Sequence, residues 1–338
     1  MTDEPFLDAV RTLTPGSGPA PSGLTEAGCV ELFEAQATSR HLDLAARRLK
    51  AEGDGFYTIG SAGHESNAAV AMALRPTDPA LLHYRSGGFY VARARQVPGH
   101  DPVRDVLLGL VSSSEEPIAG GRHKVFGHPD LAVIPQTSTV GSHLPRAVGV
   151  TFAIERARGI GVPAAWPADS VVVCSFGDAS ANHSTVTGAV NAASWSAYQG
   201  MPLPLLFLCE DNGIGISVPT PPGWVARTYG DRPGLRYFHA TGADPAGTFD
   251  TAAEAAAWVR EHRRPAFLHL TTVRLLGHAG SDVESAYRTP AEIAADHRHD
   301  PLLGTARLLV GAGIRTPDEV LDRYEAIREL VWQSAAAA

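Results

Sequence analysis

Two polar residues that follow apolar runs have the types and positions needed to bind a metal ion. Asp178 lies in "FGDASANHS", after "SVVVCS", and Asn212 lies in "LLFLCEDNG". Mg²⁺ prefers hard oxygen ligands and usually keeps substrate phosphate oxygens in its shell, so a protein needs to supply only a few groups. The small residues around Asp178 also allow backbone amides to approach a phosphate. The alternative for Asp178 is a helix N-cap, where Asp is a favoured residue.

The glycines after Asn212 indicate a third ligand. Gly213 and Gly215 in "NGIGIS" permit a tight backbone course, so that the carbonyl oxygen of Ile214 can face a metal. A simple glycine-rich turn is the alternative.

Two further segments carry groups that suit an anionic ligand. Tyr84 and Arg85 lie in "HYRSGG" after another apolar run, and a guanidinium makes the paired hydrogen bonds that a phosphate accepts. A surface arginine lying over an aromatic ring is the alternative. His278 lies in the long segment "RLLGHAGSDVESAYR", and loops of this length are usually functional or disordered. A histidine there can donate to phosphate or transfer protons, although a structural role is common among 14 histidines.

Several classes of protein are disfavoured. The sequence contains neither a Gly-x-x-x-x-Gly-Lys-Ser/Thr loop nor a Gly-x-Gly-x-x-Gly segment that follows a strand. Ser138 and His183 do not form a nucleophile and base pair by spacing, and the Gly-x-Ser-x-Gly elbow is absent. The net charge of -8 argues against nucleic-acid binding, because such binding depends on clustered Lys and Arg.

The elements that position these residues have the pattern of an α/β protein. Continuous apolar runs recur at "ALLHY", "LAVI", "SVVVCSF", "PLLFLCE" and "PAFLHLTTV", separated by helical segments. Strands buried on both faces and joined by helices predict a doubly wound, mostly parallel sheet, whose ligands bind beyond the carboxyl ends of the strands. Asp178 and Asn212 both follow such ends. We expect a flexible N-terminal tail over residues 1–24, one α/β domain over residues 25–338, and helices from Thr289 onward.

The location is expected to be cytoplasmic. The N-terminus "MTDEPFLDAV" is acidic and lacks the basic and apolar regions of a signal peptide. No run approaches the roughly 18 apolar residues that a membrane span requires. The three cysteines match no zinc-binding spacing and are expected to be reduced and buried.

These segments, taken together, resemble a known family. "GDAS" followed by "EDN" is similar to the Gly-Asp-Gly to Asn-Asn motif of thiamine diphosphate enzymes. The neighbouring segments resemble the alpha subunits of the decarboxylating first component of 2-oxoacid dehydrogenase complexes, of the pyruvate and branched-chain types. The similarity runs in order over residues 60–290 and includes "GHES", "HYRSGG", "LPRAVG" and the loop "GHAGSDVESAYR".

The resemblance implies a thiamine diphosphate-binding fold and a role for each matching residue. Asp178, Asn212 and the carbonyl of Ile214 would hold Mg²⁺. The other matching positions would contact the cofactor, with His278 also catalytic; they are Tyr84, Arg85, Ser138, Val140, Gly177, Ala179 and His278. The sequence departs from the family at Ala179, which replaces a glycine, and at Asp211, which replaces an asparagine. Ala279 stands where animal members carry a phosphorylated serine, and the role of His123 in "GRHKVFGH" stays open.

The resemblance also implies a reaction and partners. A 2-oxo acid would be decarboxylated and its acyl group transferred to a lipoyl carrier protein. A beta subunit would supply the aminopyrimidine-binding half of the site, including an activating glutamate, in an assembly of two alpha and two beta chains. An acetoin dehydrogenase alpha subunit and a non-catalytic scaffold or regulatory relative are the alternatives, and the 2-oxo acid itself stays open.

Overall fold

A parallel sheet forms the centre of the computed structural model, which describes residues 3–16, 18, 21–137 and 139–338. Its five strands lie in the order β1-β2-β3-β7-β6, and every neighbouring pair is parallel. A separate antiparallel pair, β4-β5, follows β3. The strands are β1 Ala80–Leu81, β2 Val172–Gly177, β3 Leu205–Asp211, β4 Ile214–Gly215, β5 Val218–Pro219, β6 Arg236–Thr241 and β7 Ala266–Thr271.

Helices cover both faces of this sheet, which confirms the predicted doubly wound α/β fold. They are α1 Glu4–Arg11, α2 Glu26–Glu52, α3 Asn67–Met72, α4 Gly87–Arg95, α5 Pro102–Leu110, α6 His143–Ile160, α7 Asp178–Ala181, α8 Ser184–Tyr198, α9 Trp224–Tyr229, α10 Pro245–His262, α11 Pro290–Asp296, α12 Pro301–Gly311 and α13 Pro317–Ala336.

Local sequence signals set the ends of the long helices. The Thr25 hydroxyl accepts a hydrogen bond from Gly28 N at the start of α2, and Gly53 ends that helix at a φ of 91°. A capping box between Thr316 and Glu319 starts α13. The predicted C-terminal helices are therefore confirmed.

Alternating strand residues divide the apolar core into two clusters. On one face, Val173, Leu206 and Leu268 pack in a cluster with residues of α2, α4, α10, α12 and α13. On the other face, Cys174 and Phe207 pack with residues of α6, α8 and α9. Because both faces are buried, these strands are continuous apolar runs, the pattern that identified them in the sequence.

Some elements differ from the sequence predictions. Residues 4–11, within the expected tail, form α1, whose Phe6 and Val10 are buried in the main cluster; the ring of Phe6 lies 4.8 Å from that of Tyr324. The segment "LAVI" contributes only isolated bridges from Val133 to Ala80 and to His128 rather than a full strand. Strand β6 was not predicted, because its residues alternate between buried and exposed. The division into a tail of residues 1–24 and a domain of residues 25–338 otherwise stays a prediction.

A buried charged network joins the start of the chain to its end. The Arg40 Nε atom on α2 donates to Glu65 Oε1 at 2.6 Å, and its two terminal nitrogens donate to Asp300 at 3.1 and 2.8 Å. Glu65 Oε2 accepts a 2.7 Å bond from Gly63 N. All three charged side chains are almost fully buried, so the loss of any one would leave a buried charge without its ion-pair partner. The network therefore fixes the segment around Gly63, which leads into the cleft described below.

Among the described residues, no helix is long and apolar enough to cross a membrane.

Candidate functional site

A cleft of about 440 Å³ lies beyond the carboxyl ends of β2 and β3. Nine of the ten residues that the sequence predicts as cofactor contacts line it, namely Tyr84, Arg85, Val140, Gly177, Asp178, Ala179, Asn212, Ile214 and His278. The tenth, Ser138, lies outside the described residues. Residues from across the sequence thus meet at one edge of the sheet, although their individual roles stay predictions. His123 and His183 line the same cleft.

Asp178 is the first residue of α7 and is almost fully buried. The N-cap position belongs to Gly177, so the alternative that Asp178 is an N-cap is wrong. Its Oδ2 atom accepts a hydrogen bond from the Thr220 hydroxyl. Burial raises the pKa of the Asp178 carboxyl; the Thr220 bond opposes this rise, and Asp211 adds to it. Among the described residues no Lys or Arg forms an ion pair with this carboxylate, so a bound cation would stabilise its charged form.

The hairpin of β4 and β5 packs directly on α7. A Cβ atom added at Gly215 would lie 2.5 Å from the Ala179 Cβ, much closer than such atoms approach one another. Ala179 has a negative φ as part of α7, so the replacement of the family's glycine introduces no backbone strain. The methyl group of Ala179 and the bare backbone of Gly215 are therefore complementary, and together they set the distance between Asp178 and Ile214.

Arg85 and His278 contact each other across the cleft. Arg85 Nη2 donates to His278 Nδ1 at 3.1 Å and to its carbonyl at 3.2 Å, while Arg85 Nη1 donates to the Gly60 carbonyl at 2.5 Å. Burial and then the Arg85 charge lower the pKa of His278 to about 4, so the ring is neutral at pH 7. Because Nδ1 accepts a bond, the neutral ring carries its proton on Nε2, which is left as a donor.

The loop of residues 274–288 is tied to the hairpin by a buried arginine. Arg274 Nη1 donates to the carbonyl of Ile216 at 2.7 Å, and its Nη2 donates to the Tyr287 hydroxyl at 2.7 Å. Ile216 has a φ of 57°, a left-handed conformation that is costly for a β-branched residue. The hydrogen bond from Arg274 helps to hold it there.

Asn212 and Asp211 have different surroundings. The Asn212 amide nitrogen donates to His64 Nε2 at 2.8 Å, and its Oδ1 accepts from Ile214 N at 3.1 Å. Asp211 Oδ1 accepts from Gly213 N at 2.9 Å, and Asp211 Oδ2 accepts from His269 Nε2 at 2.8 Å. Both Asp211 oxygens are thus held by neighbouring residues, so Asp211 anchors the turn while Asn212 is the residue that lines the cleft.

Sequence reasoning missed several titratable residues near the cleft. His83 and His143 both line it, both are buried, and for each the Nδ1 atom has no hydrogen-bond partner among the described residues. Burial lowers the pKa of both rings. Lys124 also lines the cleft, and burial lowers its pKa to about 8, against the opposing effect of Asp43. The only available signal was that His83 adjoins the "YR" pair and that His143 follows "TSTVGS".

The residues present fit a magnesium diphosphate. The Asp178 carboxylate, the Asn212 amide oxygen and the Ile214 carbonyl are hard oxygen donors of the kind that Mg²⁺ takes. Arg85 supplies a guanidinium at the same cleft, and His83 offers a buried imidazole nitrogen that lacks a partner among the described residues. Such a donor set suits a cation and an anion bound side by side.

The chain is similar in sequence to proteins of one known family. The sequence model of the family described as "Dehydrogenase E1 component" matches residues 34–338. The chain is 26% identical to a 2-oxoisovalerate dehydrogenase subunit alpha of Bacillus subtilis, over 88% of this chain and 86% of that protein. It is 27% identical to a mitochondrial pyruvate dehydrogenase E1 component subunit alpha of Chaetomium thermophilum, over 99% of this chain and 79% of that protein. A type II subunit alpha of pyruvate dehydrogenase from Ascaris suum is 25% identical, over 91% and 74% of the two chains.

Proposed function

The chain belongs to the dehydrogenase E1 component family, and from this premise we propose that it is the alpha subunit of a thiamine diphosphate-dependent 2-oxoacid dehydrogenase. The enzyme decarboxylates a 2-oxo acid and transfers the acyl group to a lipoyl carrier protein. The observation that carries the proposal is the single cleft lined by nine of the residues that match the family's cofactor contacts. A non-catalytic relative would have no reason to keep Asp178, Asn212, Arg85 and His278 together at one cleft.

In this proposal the chain holds the diphosphate end of the cofactor. Asp178, Asn212 and the Ile214 carbonyl are the ligands for Mg²⁺, and Arg85 with Tyr84 contacts the diphosphate. Thiamine diphosphate held by these residues would supply the nucleophilic carbon and the electron sink that decarboxylation of a 2-oxo acid requires.

The chain's own residues orient the cofactor and donate hydrogen bonds to it. Arg85 donates three of its five N–H groups to Gly60 and His278, and no partner among the described residues takes the other two, so one guanidinium can bind the diphosphate while it holds the loop that carries His278. The neutral His278 ring keeps its Nε2–H group as a hydrogen-bond donor, and we assign it a hydrogen bond to the oxygen atom that gains negative charge at the reacting end of the cofactor.

A partner chain must complete the site. Of the described residues that line the cleft, Asp178 is the only one with a carboxylate, and it is assigned to the metal. The glutamate that activates the aminopyrimidine is therefore assigned to a beta subunit. We propose an assembly of two alpha and two beta chains; a cytoplasmic location stays a prediction.

The exposed apolar surface indicates where this partner docks. Ten of the thirteen exposed large hydrophobic residues in the described part of the chain lie between positions 140 and 224; they are Val140, Phe152, Ile160, Val162, Trp195, Tyr198, Met201, Ile216, Val218 and Trp224. Of these ten residues, Val140 and Ile216 line the cleft, and Val218 belongs to the same hairpin as Ile216. A chain that covers these three residues would lie beside the cofactor, where the missing carboxylate is needed.

The lining of the cleft limits the substrate class. Ile59, Val125, Val140, Ile214 and Ile216 are aliphatic residues of that lining. A pocket of this kind accommodates 2-oxo acids with aliphatic side chains, a class that includes both pyruvate and the branched-chain acids.

Replacement of Asp178 tests the proposal. The tagged chain is purified from its source cells with the partner that accompanies it, and binding of thiamine diphosphate is measured by calorimetry with and without Mg²⁺. Asp178→Ala is expected to abolish Mg²⁺-dependent binding, because a charged ligand is lost. Asp169→Ala is the matched control, since this exposed carboxylate precedes the amino end of β2 and, among the described residues, forms an ion pair only with Arg75. Wild-type affinity in Asp178→Ala would contradict the metal assignment.

A further inference from the structure

The side-chain amide of Asn212 is held from behind by a buried pair of residues. The Asn212 amide nitrogen lies 2.8 Å from His64 Nε2, and His64 Nδ1 lies 2.8 Å from Glu210 Oε2. Both His64 and Glu210 are completely buried. The three side chains thus form a continuous hydrogen-bonded row that starts inside the protein and ends at the cleft.

The carboxylate of Glu210 determines the direction of every bond in this row. Besides His64, it accepts hydrogen bonds from Asn67 Nδ2 and from the Ser86 hydroxyl, both at 3.0 Å. A carboxylate surrounded by donors requires that His64 Nδ1 carries a proton. Asn212 Oδ1 accepts a hydrogen bond from Ile214 N, so the group of Asn212 that faces His64 is the NH₂, and the lone pair of His64 Nε2 accepts from it.

This arrangement fixes the orientation of the amide. With its nitrogen held by His64, Asn212 turns its Oδ1 atom the other way, where Ile214 N already donates to it. A flipped amide would place Oδ1 against the lone pair of His64 Nε2 and would lose a buried hydrogen bond. The oxygen is therefore presented for metal binding by residues that do not themselves contact the cofactor.

The hydrogen bonds of His64 argue against a transition-metal site at the same residues. Candidate ligand atoms of His64, His83 and Glu210 lie within 4.8 Å of one another, a spacing that a transition metal can bridge. However, His64 uses both ring nitrogens, one toward Glu210 and one toward Asn212. Binding of a metal ion at this cluster would require the loss of one of these two short buried hydrogen bonds. His64 therefore belongs to the hydrogen-bonded row.

We propose that His64 and Glu210 are positioning residues that set the orientation of Asn212 and thereby the affinity for Mg²⁺. The proposal rests on the function proposed above, since it assigns Asn212 to the metal. Groups that hydrogen-bond to metal ligands typically change metal affinity about 10- to 100-fold when they are replaced. The same size of effect is expected for loss of the His64 bond.

Two substitutions at His64 separate the hydrogen bonds from the packing. His64→Gln keeps an oxygen that accepts from Asn212 and an NH₂ that donates to Glu210, whereas His64→Leu keeps neither. Mg²⁺ is titrated by calorimetry into the complex purified from source cells, in the presence of saturating thiamine diphosphate. We expect the Mg²⁺ dissociation constant to rise about 10- to 100-fold in His64→Leu and to change less than about threefold in His64→Gln. If His64→Leu does not fold, His64→Asn replaces it, because its shorter side chain reaches only one of the two partners.

A second histidine provides the matched control. His41 is as buried as His64, but its Nε2 lies 3.1 Å from the Tyr324 carbonyl, and it does not line the cleft. His41→Leu is expected to lower stability without changing the Mg²⁺ dissociation constant. Wild-type affinity in His64→Leu or His64→Asn would overturn the positioning role, as would an equally large loss in His64→Gln. Absence of Mg²⁺-dependent cofactor binding in the wild-type complex would instead contradict the proposed function.

Discussion

The close approach of Gly215 to Ala179 predicts that one added methyl group will weaken metal binding. In Gly215→Ala the new Cβ would lie 2.5 Å from the Ala179 Cβ, whereas ordinary contacts begin near 3.4 Å. The β4-β5 hairpin must therefore move by about 1 Å relative to α7. Mg²⁺ requires oxygen ligands at about 2.0–2.1 Å in near-octahedral geometry, so a shift of this size would displace the Ile214 carbonyl from the proposed metal shell.

Overpacking of this kind costs about 1–3 kcal/mol. If the hairpin moves, this cost corresponds to about a 5- to 150-fold loss of affinity for Mg²⁺. If the hairpin stays in place, the same cost is expected as a decrease in the free energy of unfolding. Mg²⁺ titration in the presence of thiamine diphosphate and urea denaturation distinguish the two. The control is the double variant Gly215→Ala with Ala179→Gly, which moves the methyl group to the other side and should recover most of the loss. Unchanged binding and stability in Gly215→Ala, or no recovery in the double variant, would refute the reasoning.

Three other predictions test the surroundings of the site. Gly63→Ala should lower the free energy of unfolding, measured by urea denaturation, by about 2 kcal/mol or more. Gly63 has a φ of 96°, and an added Cβ would collide with the Val273 carbonyl. An unchanged free energy of unfolding would contradict this close contact. Burial, followed by the charge of Arg40, lowers the pKa of His41 to about 3. As the pH falls from 6.5 toward 3, His41 is therefore protonated in the unfolded chain before it is protonated in the folded one, and the free energy of unfolding should decrease. His41→Gln should make this pH dependence weaker, and an unchanged pH dependence would refute its assignment to His41. Arg274→Met should speed proteolysis within residues 276–288, because the loop loses its bond to the Ile216 carbonyl; an unchanged cleavage rate would show that the bond does not hold the loop.

The sheet was predictable because its central strands are buried on both faces. The strands Val172–Gly177 and Leu205–Asp211 consist mainly of apolar residues and are followed by polar ones. This pattern predicts both the strands and the position of the cleft beyond their carboxyl ends. β6 could not be found in this way, since only one of its faces is well buried. The N-terminal helix α1 was missed because its two buried residues gain their partners only from α13 and other distant elements.

The residues that line the candidate cleft were predictable from the sequence, but the residues that hold them in place were not. Asp178 and Asn212 follow strand ends, a local feature that the sequence displays directly. His64 lies 148 residues from Asn212, and no periodicity or spacing relates the two. Likewise, the complementarity of Ala179 and Gly215 depends on how a hairpin packs on a short helix, which local propensity does not specify. Residues that act through another residue therefore needed the three-dimensional structure.

The buried bonds between Arg40 and Asp300 have a consequence for biosynthesis. These residues are 260 positions apart, so Arg40 obtains one of its two buried partners only when nearly the whole chain has been translated. Until then, water can still solvate the Arg40 side chain. The entropy of closing such a long loop opposes ordering of the segment that contains Glu65 and Gly63. The segment that leads into the cleft is therefore expected to become ordered only after Asp300 has been translated, long after its own residues.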